Sequence, residues 1–124
     1  MNMRDRASLV LELIHKPEMV SAILPELTAY GWHCEEQLAI VTKQDVLAVL
    51  RQFEGGRLSS AEVTVWANSV GGRTDIGYEF GADGVVEESL YCLAHPESSW
   101  PVDAHITRRI VALYERRKIK RDTP

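Results

Sequence analysis

Apolar positions recur at helical spacing through most of the chain, and glycines or prolines stand where the spacing breaks. Leu9 with Leu13, and Val10 with Ile14, predict a first helix over about Met3–Ile14. Pro17 has a fixed φ that suits the first turn of a second helix, with Lys16 at its cap and an apolar stripe of Val20, Ile23, Leu24 and Leu27. Pro25 inside that stripe removes a backbone donor and is expected to kink or split the segment, and Gly31 is expected to end it. Trp32–Val41 is ambiguous between a short extended piece and a loop.

The strongest pattern lies between Thr42 and Asn68. Thr42 is an N-cap with Asp45 three residues on, and Val46, Leu47, Val49, Leu50 and Phe53 form one face before Gly55-Gly56. Ser59 and Glu62 are spaced as a capping box, followed by Val63, Trp66, Ala67 and Val70 at i, i+3, i+4 and i+7. Two helices so closely joined are expected to pack as an antiparallel hairpin, and Gly71-Gly72 stops the second. Both glycine pairs are read as helix C-terminal residues that permit a left-handed φ.

Beyond Arg73 two readings compete. Ile76, Tyr78 and Phe80 alternate ahead of Asp83-Gly84, which allows a short hairpin near residues 75–88, with IGYEF against VVEES. Val86, Leu90, Leu93 and Ala94 instead keep helical spacing over about Gly84–Ala94, with Asp83 as cap and Glu87 and Glu88 in the first turns, and the helix is favoured. His95-Pro96 ends it, Pro96–Pro101 is a loop, and a last helix over about Asp103–Lys118 presents Ile106, Ile110, Leu113 and Tyr114. The expected fold is all-α: a compact single-domain bundle of five or six helices over residues 1–118, followed by a disordered basic tail over 119–124.

Composition narrows the function without choosing it. The chain has 124 residues, 45% hydrophobic and 26% charged, which suits one soluble core. No apolar run approaches the roughly 20 residues that span a bilayer, so no membrane partner is expected. Two arginines precede a short apolar segment, but Glu12 interrupts it and no small-residue cleavage site follows, so a cytoplasmic location is expected. The net charge of −4 hides an asymmetry: residues 1–103 sum to −9 and residues 104–124 to +5. An acidic body disfavours nucleic acid, while the C-terminal segment suits a phosphate or an acidic surface.

Candidate chemistry is sparse. His33, Cys34, Cys92 and His95 are the types of a two-Cys, two-His zinc set, but adjacent His-Cys does not converge easily on one ion, and no metal or other cofactor is expected. A bridge between Cys34 and Cys92 stays open beside the preferred reading of two buried free thiols. Glu35-Glu36 and Glu87-Glu88 are paired carboxylates, yet neighbours on a helix diverge by roughly 100° per residue and do not focus on one substrate. No nucleophile elbow and no phosphate-binding loop occurs in the sequence. Trp66 belongs on an apolar helix face, whereas Trp32 and Trp100 lie in connections, where they either plug the ends of the fold or anchor a partner.

The run QDVLAVLRQFEGGRLSSAEVTVWAN, about a fifth of the chain, resembles small bacterial helical immunity proteins of the colicin D type. It shares their helix, glycine-containing turn, and Ser-Ala-Glu helix start followed by an aromatic residue. The resemblance implies a chain that blocks a toxic ribonuclease domain through an acidic, nucleic-acid-like surface. The acidic body fits, and the basic C-terminal segment departs from the pattern.

The expectation is therefore a non-enzymatic protein-binding domain, in its sharpest form an immunity protein neutralising a toxin domain. Glu35, Glu36, Glu87, Glu88, Trp32 and Trp100 are its contact residues. The alternative is a nucleic-acid-associated regulator using Arg108, Arg109, Arg116 and Arg117. The oligomeric state is left open.

Overall fold

A computed structural model describes residues 5–30, 36–71, 73–79 and 84–122, with 116–122 described by backbone alone. Among these the chain forms six α-helices and two short strands: α1 (Arg6–His15), α2 (Val20–Thr28), β1 (Ala39–Val41), α3 (Lys43–Glu54), α4 (Ser60–Val70), β2 (Ile76–Tyr78), α5 (Val85–Ala94) and α6 (Ile106–Asp122). The protein is mostly helical, but the all-α expectation needs correction, because β1 and β2 pair as a two-stranded parallel sheet.

The helices start where local chemistry satisfies their free N–H groups. Asp5 accepts from Ser8 N at 2.7 Å at the head of α1. Thr42 and Asp45 form a reciprocal capping box on α3 (3.1 and 2.9 Å), and Ser59 and Glu62 form another on α4 (3.1 and 2.8 Å). The predicted core faces follow, with Val46, Val49 and Leu50 buried on α3 and Val63, Trp66, Ala67 and Val70 on α4.

Pro17 does not open a long second helix. It starts a single 3-10 turn (Pro17–Met19), after which α2 begins at Val20. Pro25 neither splits α2 nor ends it; the helix continues to Thr28. Pro17 lacks the N–H that would reach the Leu13 carbonyl, and the buried Trp66 indole supplies one instead. Its Nε1–H donates to Leu13 O at 2.9 Å and to Ile14 O at 3.2 Å. A side chain 53 positions away thus closes the end of α1.

The Ile76–Tyr78 segment is extended, but its partner is not the VVEES segment, which belongs to α5. Ala39, Ile40 and Val41 stand opposite Ile76, Gly77 and Tyr78. Bonds from Leu38 N to Asp75 O (2.8 Å) and from Glu79 N to Val41 O (3.0 Å) extend the ladder. Parallel strands need a crossover, and α3 and α4 are that crossover. The capped helix pair is therefore the connection of a β-α-α-β unit, and α4 packs more extensively on α5 than on α3.

Gly56 has φ 80° beyond α3, while Gly71 beyond α4 is extended (φ −72°, ψ 142°), so a left-handed φ is used at the first glycine pair and not at Gly71. The cap of α5 is Gly84 at φ 77°. Asp83, expected there, lies outside the described residues, as do Gly31, Gly72 and Phe80. The last helix starts at Ile106 and runs to Asp122, across the boundary expected after residue 118.

Two polar clusters lie inside this frame. Asp75, at the entry to β2, is fully buried and held by Arg6 Nε at 2.9 Å and by Arg73 Nε and Nη2 at 2.8 and 3.0 Å. Burial alone pushes its carboxyl up, but the hydrogen bonds and charges of Arg73 and Arg6 outweigh it and leave Asp75 below its ordinary value. Arg6 Nη1 also donates to Tyr30 O at 3.3 Å, so one guanidinium ties α1 to the end of α2 and to the sheet. In the second cluster Ser89 donates to Val86 O at 2.9 Å, which leaves the Tyr114 hydroxyl to donate to Ser89 Oγ at 2.7 Å. Burial, together with the Glu79 charge and against the Ser89 bond, pushes the Tyr114 phenol up to about 12.

Candidate functional site: the groove between α4 and α5

The contact between α4 and α5 leaves a groove of about 520 Å³ on its outer side. Val85, Val86, Ser89, Leu90 and Leu93 turn α5 inward. That orientation leaves Glu87 and Tyr91 exposed and Glu88 half-buried. Ala67 and Gly71 on the α4 side and Ala94 on α5 are small, so the facing backbones are not filled in, and Leu90 adds an apolar wall. Tyr78, from the end of β2, completes the lining.

Two contacts hold the groove in shape. Asn68 Nδ2 donates to Thr64 O at 3.2 Å within α4 and to Ala94 O at 3.3 Å on α5, which links the two helices. The His95 ring stacks on Tyr91, with centroids 4.2 Å apart and planes 25° from parallel. Its Nδ1 is 3.0 Å from Tyr91 O, and a carbonyl only accepts, so Nδ1 carries a proton. Tyr91 remains 56% exposed, the most exposed of the large hydrophobic side chains described.

Glu87 and Glu88 occupy the first turn of α5, where carboxylates offset the helix dipole. Their predicted divergence does not keep them apart in use, because the groove is wide enough for both to line it. Glu36 is exposed ahead of β1 and is not among the groove residues. Trp32 and Glu35 lie outside the described residues. Trp100 is half-buried against the core, and the Arg109 guanidinium sits 5.7 Å above its ring centre. Arg108 and Arg109 are exposed on α6, and the side chains of Arg116 and Arg117 lie outside the described residues.

Of the sulfur and imidazole set, Cys92 is a free, half-buried thiol rather than a fully buried one. Burial, with the Glu88 charge and against a Ser99 hydrogen bond, pushes the thiol up, so it stays protonated and weakly nucleophilic at neutral pH. His95 is engaged with Tyr91. Among the described residues no three His, Cys, Asp or Glu side chains are grouped to hold a metal ion; His33 and Cys34 lie outside them.

The sequence reading did not single out Tyr78 or Tyr91, and it weighed His95 only as a metal ligand. Tyr91 carried one signal: it falls off the apolar stripe of α5, four residues after Glu87 and three after Glu88. Tyr78 carried none, since only the parallel pairing of β2 brings it to α5.

Among the described residues no helix is long and apolar enough to cross a membrane. Comparison with known protein families, curated proteins and solved structures finds no match to this chain.

Proposed function

We propose that the protein works by binding another protein rather than by catalysis, and that the α4/α5 groove is where the partner docks. The observation that carries this reading is Tyr91, an exposed aromatic ring stacked on His95 beside an apolar concavity. A rigid aromatic costs little conformational entropy on binding, and such side chains dominate interface energetics. Glu87 and Glu88 on the same groove add the charge expected of a surface that meets a basic partner.

The sharpest version is a bacterial cytoplasmic immunity protein that neutralises a toxin domain. It is supported by the acidic body and by the resemblance of the α3/α4 segment to immunity proteins of the colicin D type.

Affinity capture with the tagged full chain and with its Tyr91→Ala variant, at low and moderate salt, tests the docking site. One stoichiometric protein held by the parent at moderate salt and lost by Tyr91→Ala is the expected result. Equal retention by both would remove the groove from the interface. Nucleic acid released steeply by salt would replace the protein partner with the α6 alternative. The immunity version requires further that the captured protein arrest growth when expressed alone and that this chain relieve the arrest.

A further inference from the structure

Resting on that docking site, we propose that the groove is a receptor for an arginine side chain presented by the partner. Its lining combines the parts that recognise a guanidinium. Glu87 and Glu88 supply carboxylate oxygens, Tyr78 and Tyr91 supply aromatic rings, and Leu90 with Ala67 supplies apolar surface. A guanidinium pairs with carboxylates through a planar fork, stacks on aromatic faces, and lays its methylene stem along apolar walls.

Charge complementarity selects this occupant. No lysine or arginine lines the groove among the described residues, and the body around it is acidic. An anionic or purely aliphatic guest would meet two carboxylates without compensation. The volume of about 520 Å³ suits a side chain with its flanking backbone. One ring has its position fixed in advance, because His95 stacks on Tyr91 and bonds the Tyr91 carbonyl.

The test is a backbone-amide chemical-shift titration of the full isotope-labelled chain. The probes are acetyl-Gly-Arg-Gly-amide, its citrulline counterpart, which keeps the shape and loses the charge, and its lysine counterpart. Saturable shifts are expected at 67–71 and 87–95 with the arginine probe. Apparent affinity is expected to fall about tenfold or more with citrulline, and by a similar factor in the Glu87→Gln/Glu88→Gln double variant, provided the spectrum elsewhere is unchanged.

Citrulline binding as tightly as arginine, indifference to the double variant, or no saturable shift at millimolar probe would each overturn the proposal. A lysine probe that binds as well as arginine would overturn the assignment to a planar head group. The two readings fail separately. Capture lost with Tyr91→Ala but retained by the double variant keeps the docking site and removes the arginine, whereas capture indifferent to Tyr91→Ala removes the docking site itself.

Discussion

Two regions of this molecule bring carboxylates together with large side chains, and they treat charge in opposite ways. At the entry to β2, Asp75 is fully buried and bonded by two guanidinium groups, with side chains only 13% (Arg6) and 9% (Arg73) exposed. Along the α4/α5 groove, Glu87 is exposed and Glu88 half-buried, and the neighbouring aromatic ring is largely open to solvent. The buried carboxylate is matched within the chain and joins α1, α2 and the sheet, so its energy belongs to folding. The groove carboxylates stand on a water-facing wall, where their charge acts on whatever enters. Burial and satisfaction therefore separate a carboxylate that builds the scaffold from one offered to a partner.

The largest expected effect breaks the buried side of this contrast. Asp75→Ala leaves two desolvated guanidinium groups without a counter-charge and is expected to cost about 3–5 kcal/mol, read from the shift of the urea unfolding midpoint. The same group makes the fold acid-labile. A folded pKa held below its unfolded value of about 3.9 contributes stability that is fully present above that value and is lost as pH falls through the lower folded one. The parent is expected to lose stability below about pH 4, and Asp75→Ala should show a flatter acid limb over the same range.

Trp66→Phe is next in size. It keeps most of the buried ring but removes the donor to the Leu13 and Ile14 carbonyls, and an expected loss of about 1–3 kcal/mol follows from leaving them unserved. An unchanged unfolding midpoint would show that those carbonyls find another donor.

Ser59→Ala should cost about 1 kcal/mol by removing the α4 side of a capping box, with no effect on partner binding. Tyr91→Ala closes the series from the other region. At 56% exposure its stability change should stay within about 0.5 kcal/mol while partner retention is lost. A large loss of stability would instead assign Tyr91 to the scaffold and blur the distinction.

The extent to which sequence anticipated each region follows from how local its physics is. The cap pairs Thr42–Asp45 and Ser59–Glu62, the buried faces of α3 and α4, and the preference for helix over hairpin at Val85–Ala94 depend on residues within a turn or two of each other. Glu87 and Glu88 were identifiable as an exposed acidic pair for the same reason. The effect of Pro25 was misjudged, because a proline does not split a helix whose apolar face is held by tertiary packing: Val20, Ile23 and Leu27 of α2 are all buried. Trp100 was placed correctly in a connection, but its half-buried position under Arg109 depends on how α6 returns across the fold.

By itself the sequence determined the helices, their caps, their core-facing stripes and the acidic character of the body, because hydrogen bonding and amphipathicity within a helix operate over three or four residues. Tertiary structure alone decided four other features. It paired Ala39–Val41 with Ile76–Tyr78, brought the Trp66 indole to the carbonyls that Pro17 cannot serve, enclosed Asp75 between two arginines, and set Tyr78 and Tyr91 on one groove with Glu87 and Glu88. Each joins residues separated by much of the chain, and each gains its energy only when those segments are packed together and shielded from water.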